Sequence, residues 1–201
     1  MVISWQGFNY FRIQNSQQSV VFNPYSLDNA TKYGKAKGDI VIFSNAKAVA
    51  GTKIDEEALV VSAPGEYEVK DIFVYGQAIN GQIIYLVIFE GIRIAFLGEF
   101  NHQELSDKDL ELIEGADVLI LPVGGGDLTT AKEASKIISQ VEPRAVVPSC
   151  FSTKELKFKA DSVDAFIKEF GVKAETMDKW KISKKDLPQD DVKLIVLEPQ
   201  L

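Results

Sequence analysis

Two parts of this sequence present the same order of elements, and this repeat most limits the folds open to the chain. Each part begins with a hairpin of apolar strands, passes through a polar connector, and ends in a buried strand that opens with a small residue and an aspartate. The buried strands are Gly38–Phe43 in the first part and Ala116–Leu121 in the second. Two such halves predict an α+β fold with two sheets packed face to face and helices outside, a four-layer αββα sandwich.

The other segments fit one domain over residues 1–201, because a chain of 201 residues builds a single core. Pro64-Gly65 predicts a turn over residues 63–68, and residues 179–185 are expected to form a solvated loop. Further strands are predicted over Val2–Trp5, Phe8–Ile13, Ser19–Phe22, Leu59–Ser62, Ile72–Tyr75, Ile83–Phe89, Ile92–Leu97, Arg144–Pro148 and Val192–Leu197. Helices are predicted over Ser106–Glu114, with Ser106 as N-cap, over Thr130–Val141, with Thr129 or Thr130 as N-cap, and over Asp161–Phe170.

Charge and composition exclude several classes of partner. The net charge of −7 argues against nucleic acid, because phosphates repel an acidic surface. The longest apolar runs have the length of strands, and the N-terminus lacks the pattern of a secretory signal. Cys150 is the only cysteine, which excludes an internal disulfide and fits a reducing compartment. We therefore expect a cytoplasmic protein with no nucleic-acid or membrane partner.

The loop after the first buried strand carries little chemistry. Asp39–Phe43 ends at Ser44, and α/β folds usually place functional side chains where such a strand ends. The segment Asn45–Ala50 nevertheless contains no His, Asp, Glu or Cys. Any catalytic or metal-binding group must therefore come from elsewhere in the chain.

Several segments resemble the metallo-β-lactamase superfamily, and in particular the short β-lactamase-like hydrolases near the L-ascorbate-6-phosphate lactonase group. The similarity extends from about residue 1 to residue 151. It implies the αββα sandwich and a hydrolase that activates water between two metal ions. The similar segments are Ile3–Phe11, Val21–Pro24, Asp39–Ser44, Ala63–Val69, Ile92–Glu99, Asp117–Gly125, Thr130–Ala134 and Pro143–Pro148.

The same resemblance places most of the family's metal ligands on residues that cannot replace them. Its His-x-His-x-Asp-His motif falls on Asn45, Lys47, Val49 and Ala50. Four further motif positions fall on Phe8, Asn23, Glu99 and Cys150, and one motif histidine has no matching position in this sequence. Zinc of this type is bound mainly by histidine nitrogens and carboxylates, and this chain contains one histidine. We therefore expect no metal and no other cofactor.

Three residues leave an alternative open. Glu99, His102 and Cys150 could form a reduced metal site, or Cys150 and His102 could act as a nucleophile and its base. We also hypothesise that Lys47 occupies the former metal position and pairs with Glu99. The turn formed by Gly124, Gly125 and Gly126 precedes a predicted helix, where backbone N–H groups favour anions, although a helix cap alone explains such a turn.

The sequence thus predicts a metallo-β-lactamase-type protein that has lost its metal site and works without catalysis. Its role would be binding or assembly, with a protein or a small molecule as partner and with homo-oligomerisation as a further expectation. The alternative is a hydrolase built around Glu99, His102 and Cys150.

Overall fold

The computed structural model describes residues 1–26, 31–101, 104–156 and 158–200. The strands are β1 (Val2–Trp5), β2 (Phe11–Gln14), β3 (Ser19–Phe22), β4 (Ile40–Ile42), β5 (Leu59–Val61), β6 (Gly65–Val69), β7 (Ile72–Ile79), β8 (Gln82–Phe89), β9 (Ile92–Phe96), β10 (Val118–Pro122), β11 (Ala145–Ser149), β12 (Ala174–Met177), β13 (Lys179–Lys181) and β14 (Lys193–Leu197). The α-helices are α1 (Asp107–Ile113), α2 (Ala131–Val141) and α3 (Val163–Phe170), and 3-10 helices cover Ala46–Gly51 and Lys184–Asp186.

The strands form two mixed sheets. The six-stranded sheet has the order β13-β1-β2-β3-β4-β5, and the eight-stranded sheet has the order β12-β14-β11-β10-β9-β8-β7-β6. Strands β3, β4 and β5 are parallel in the first sheet, and β9, β10 and β11 are parallel in the second. Parallel neighbours end at the same edge of a sheet, so the loops that follow these strands gather at one end of the molecule.

Aromatic side chains join the two sheets in the core. The rings of Phe22 on β3 and Phe96 on β9 lie 4.7 Å apart between centroids, and Phe11 on β2 lies 6.4 Å from Phe96. All three side chains are fully buried. Large apolar side chains contribute most to such a core, which confirms the predicted face-to-face packing.

The two outer layers of the sandwich are formed by different elements. Helix α1 packs against β7 and β8, and helix α2 packs against β10 and α3, so helices cover the second sheet. The outer face of the first sheet buries Val21, Val41 and Phe43 beneath loop residues such as Tyr25 and Val49. The α+β sandwich predicted from the sequence is confirmed. In the described part of the chain, loops and the 3-10 helix Ala46–Gly51 form the layer over the first sheet.

The predicted helix starts follow local capping. Ser106 accepts a hydrogen bond from the backbone of Asp109 while the Asp109 carboxylate accepts one from Ser106, and Thr130 and Glu133 repeat this arrangement. Such reciprocal bonds satisfy backbone donors that a helix start otherwise leaves unpaired. Helix α3 ends at Gly171, which adopts a left-handed conformation.

Two predictions about loops were wrong. Residues 65–69 form strand β6 rather than a turn, because Tyr67 and Val69 alternate with exposed side chains and pair with β7. The expected solvated loop over residues 179–185 includes strand β13, which pairs with β1. Trp180 supplies the buried side chain of that strand, while its two lysine neighbours face solvent.

Candidate functional site

The loops at the common edge of the two sheets meet in direct contact. The Ile83 backbone N–H donates to the Ser44 carbonyl oxygen at 2.9 Å, and the Cys150 N–H donates to the Phe8 carbonyl oxygen at 3.0 Å. These loops contain most of the predicted metal-ligand positions, and a cleft lies between the loops of the two sheets. The edge is therefore the candidate functional site.

Asn23 at the end of β3 is a structural link to the loop after β4. It is fully buried and adopts a positive φ of 44°, a conformation that asparagine tolerates better than most residues. Its side-chain oxygen accepts from the Ser44 N–H at 2.8 Å, and its side-chain nitrogen donates to the Ser44 hydroxyl at 2.7 Å. Both ends of the Asn23 amide are therefore occupied within the protein.

The hydrogen bonds continue from Ser44 across the cleft to Glu99. The Ser44 hydroxyl is hydrogen-bonded to the Tyr25 phenol, which in turn donates to the Glu99 carboxylate. The Tyr25 ring also stacks on Phe43 with centroids 6.1 Å apart. Burial, followed by the nearby Glu99 charge, raises the pKa of Tyr25. We call Asn23, Ser44, Tyr25 and Glu99 the cleft network.

Cys150 lies in an environment that suppresses the thiolate. The side chain is fully buried, and the backbone adopts a positive φ of 53°. Burial is the largest influence and raises the pKa of the Cys150 thiol, the hydrogen bond with Ser149 opposes it, and the nearby Glu99 charge raises the pKa further. A nucleophilic cysteine needs the opposite shift, so Cys150 is poorly suited to attack a substrate. The proposed base, His102, lies outside the described residues.

Most of the other inherited ligand positions hold no metal-binding atom. Phe8 is buried, with its ring 4.9 Å from that of Phe158. Val49 and Ala50 lie in the 3-10 helix, and the Asn45 side chain accepts from the Lys47 N–H at 3.1 Å as its N-cap. These roles are local and structural.

The hypothesised ion pair between Lys47 and Glu99 was wrong. Lys47 is exposed, and no nitrogen–oxygen distance within 4.0 Å joins it to Glu99. The Glu99 carboxylate accepts from Tyr25 instead, while Lys47 borders a separate pocket on the outer side of the first sheet. Ala48 and Val49 of the short 3-10 helix Ala46–Gly51 pack against the cluster of Val21, Val41 and Phe43.

The donor set at this edge does not fit the two-metal centre of the family. Within the four described ranges, no three His, Cys, Asp or Glu side chains lie together so as to hold one metal ion. Asn23 is bonded at both ends to Ser44, and the Cys150 thiol is buried with a raised pKa. Zinc requires deprotonated or neutral donor atoms that are free to turn toward the ion. These residues do not provide them.

The glycine turn after β10 has a packing role. Gly125 and Gly126 have positive φ values of 64° and 68°, which glycine adopts without strain. The Gly125 N–H donates to the Thr129 carbonyl oxygen at 3.0 Å, and a carboxylate oxygen of Asp161 lies 3.2 Å from where a Gly125 side chain would begin. The predicted anion site at Gly124–Gly126 stays a prediction, although a neighbouring carboxylate disfavours an anion.

A cavity of about 470 Å³ lies beside the cleft network. Glu99 and Gln82 border it on one side, and the loop residues Asp127, Phe158 and Lys159 border it on another. Its volume falls in the range of about 300–1,000 Å³ typical of small-molecule sites. The sequence interpretation missed Tyr25, Ser44 and Gln82, because each contributes only through partners distant in the chain.

Replacing Tyr25 with phenylalanine tests the cleft network. We expect Tyr25→Phe to lower the free energy of unfolding by about 1–2 kcal/mol at neutral pH, because the Glu99 carboxylate loses a donor. A raised pKa in the folded state means that Tyr25 stabilises the fold below its unfolded pKa of 10.0 and that this stability is lost as pH rises above it. In urea unfolding between neutral pH and about pH 11, the free energy of unfolding of the variant should thus fall less with rising pH than that of the wild type.

Tyr67→Phe is the control, because it removes a surface hydroxyl bonded to Ala63. Its free energy of unfolding should fall with pH as steeply as that of the wild type. Equal slopes for Tyr25→Phe and wild type would contradict the assignment.

The family follows from this architecture. A family model described as the β-lactamase superfamily domain matches residues 2–149, so the chain belongs to the β-lactamase superfamily. Its fold is the metallo-β-lactamase fold. A solved structure of a proposed Zn-dependent hydrolase of the metallo-β-lactamase superfamily from Thermotoga maritima has a TM-score of 0.82 and 25% identity, covering 98% of this chain and 100% of that chain.

Two further proteins show the same similarity. The UPF0173 protein PF0020 of Pyrococcus furiosus is 26% identical over 181 residues, which is 76% of this chain and 84% of that protein. The metallo-β-lactamase fold protein YhfI of Bacillus subtilis is similar with a TM-score of 0.64 and 10% identity, over 98% of this chain and 97% of that chain. At this identity the similarity shows only that the two proteins share a fold.

None of the helices in the described ranges is both long and apolar enough to cross a bilayer.

Proposed function

We propose that this protein is a metal-free member of its superfamily that works by binding rather than by hydrolysis. The observation that carries this proposal is the cleft network, in which the inherited ligand position Asn23 is bonded at both ends to Ser44 and Glu99 accepts from Tyr25. Side chains committed to one another in this way stabilise the fold but leave few atoms for a metal ion. The cavity beside Glu99 then serves to hold a small molecule, with a protein partner or self-association as the other predicted roles.

The second candidate is a hydrolase with a reduced metal site or a Cys150–His102 pair. It is favoured by the similarity to a protein described as a proposed Zn-dependent hydrolase. It is disfavoured by the burial of Cys150 and by the raised pKa of its thiol. The two candidates differ first in metal content.

Metal analysis of protein purified without chelator separates these candidates. We expect less than about 0.1 zinc, manganese or iron per chain, and a melting temperature that changes by less than about 1 °C when EDTA is added, because a bound metal would stabilise the folded state by mass action. Stoichiometric metal that EDTA removes with a drop in melting temperature would establish the hydrolase candidate instead. Hydrolysis of esters, lactones or phosphodiesters that is lost in His102→Ala would establish the Cys–His form of it.

A further inference from the structure

A second pocket, on the outer side of the first sheet, includes Tyr25 of the cleft network but shares none of the residues named along the cleft cavity. Its volume is about 540 Å³, and it is bordered by residues 24–26 and 31–34 after β3 and by the 3-10 helix Ala46–Gly51 with the residues that follow. Lys32, Lys47 and Lys53 all border it, and we call it the lysine pocket. Among the described residues that border it, there is no aspartate or glutamate. The described border of the pocket is thus basic, on a chain with a net charge of −7.

No carboxylate of the described residues forms an ion pair with the three lysines, Lys32, Lys47 and Lys53. The nearest acidic residue in the sequence after Lys53 is Asp55, and its carboxylate pairs with Lys35 at 3.6 Å. Ammonium groups that share a pocket without counter-charges repel one another, and an anion removes that repulsion.

Two aromatic side chains, Tyr25 and Tyr33, border the lysine pocket and are held by contacts with other parts of the chain. The Tyr25 ring stacks on Phe43, and its hydroxyl is held by Glu99. Tyr33 donates to the Gln6 carbonyl oxygen at 3.1 Å, and its ring meets that of Tyr10 edge-on at 4.9 Å. Preformed apolar walls beside a charged group are the usual surroundings of a small organic ligand. Such a wall suits the body of a ligand, and the lysines suit an anionic group on it.

We propose that the lysine pocket binds the phosphate group of a small phosphorylated molecule. Lysine is an established phosphate binder because its ammonium is a compact point charge with three donors. Several such groups suit a dianionic phosphate better than a single carboxylate. The overall negative charge of the chain repels an extended polyanion such as nucleic acid, whereas a small ligand experiences chiefly the local field of the pocket. The loop that stands where the family's metal motif would be thus contributes Lys47 to a different binding site.

Titration of the full chain with inorganic pyrophosphate tests this inference directly. Backbone amide resonances of Lys47, Ala48 and Thr52 should shift in a saturable manner, and calorimetry should give the same dissociation constant. We expect Lys47→Ala and Lys53→Ala each to weaken binding about three- to tenfold, as the loss of one charge-assisted contact at a partly exposed site implies. Binding should also weaken as salt rises from about 0.05 to 0.2 M.

Lys173→Ala is the matched control, because it removes the same charge from an exposed residue outside the pocket. It should bind pyrophosphate as the wild type does. The inference would be overturned if the resonances showed no saturable shift up to about 20 mM pyrophosphate, because the dissociation constant would then be weaker than about 20 mM. Equal losses in Lys173→Ala and Lys47→Ala would also overturn it, as would tighter binding of citrate or of a short oligonucleotide than of pyrophosphate. These outcomes do not depend on metal content, so they are independent of the proposed function.

Discussion

Gly124→Ala is expected to destabilise the fold by about 3 kcal/mol or more, because the added methyl group has no space in a rigid part of the structure. A β-carbon at this position would overlap the backbone carbonyl oxygen of Cys150 and would lie 2.9 Å from the β-carbon of Ala160. A flexible side chain could move away from such a clash. The Cys150 carbonyl cannot move easily, because the Cys150 N–H is bonded to Phe8 at 3.0 Å.

Gly51→Ala is the matched control for this experiment. A β-carbon at Gly51 would meet no heavy atom within 4 Å, and its φ is not positive. Gly51→Ala reduces the conformational freedom of the unfolded chain, so it should leave the free energy of unfolding unchanged or raise it by about 0.4–1 kcal/mol. Urea unfolding of the two variants measures the difference. If Gly124→Ala were as stable as Gly51→Ala, the close approach of the β10 and β11 loops would be disproved.

The Gly124 contact also affects the candidate site. It fixes the loop after β10 against Cys150, and the same loop carries Gly125 and Asp127 along the edge of the cleft cavity. We therefore expect Gly124→Ala to alter binding in the cleft. Binding in the lysine pocket, which the loops after β3 and β4 form, should change less.

Local signals in the sequence explain why part of the fold could be predicted. The capping pairs Ser106–Asp109 and Thr130–Glu133 act over one turn of helix, so the sequence contains both partners side by side. The buried strands β4 and β10 are apolar along their whole length, so their burial does not depend on knowing a particular neighbour. Strand β13 has only Trp180 as an apolar residue, and the strand exists because β1 provides its partner.

The sequence predicted where the cleft network lies but not which residues form its hydrogen bonds. The family resemblance placed Asn23 and Glu99 at the site, yet their partners Ser44 and Tyr25 lie 21 and 74 residues away along the chain. No periodic pattern encodes such pairs, because they follow from how the two sheets meet. For the same reason, Lys47 was assigned as a partner of Glu99, whereas in the structure it is exposed and borders the lysine pocket.

Asn23→Asp is expected to destabilise the protein by about 2–3 kcal/mol near pH 8 and by progressively less as pH falls. The substitution keeps the shape of the side chain, and aspartate also tolerates the positive φ of 44°. It removes the nitrogen that donates to Ser44 at 2.7 Å and places a carboxylate at a fully buried position. The Ser44 hydroxyl would turn to donate to the new carboxylate, so Tyr25 would lose its hydrogen bond from Ser44.

The direction of the pH dependence follows from the burial of the new group. Burial raises the folded-state pKa of a carboxyl above the unfolded value of about 3.9, so the unfolded chain loses its proton first as pH rises. The loss of stability is then absent below the unfolded pKa and grows through the interval up to the folded one. Urea unfolding at a series of pH values measures it. Asn101→Asp, an exposed site with the same change of charge, should remain within about 0.5 kcal/mol of wild type throughout.

The same variant distinguishes a structural amide from a surviving metal position. Because Asn23→Asp supplies a carboxylate where the family resemblance places an aspartate ligand, a retained metal centre would gain affinity for zinc, and zinc would raise its melting temperature. The arrangement around Ser44 predicts that zinc leaves the melting temperature of both proteins unchanged, since a single carboxylate adds one donor to a set that lacks the histidines. If zinc stabilised Asn23→Asp but not the wild type, one substitution would suffice to restore metal binding at this site. The cleft network would then stand in place of a metal ion without preventing a metal ion from binding.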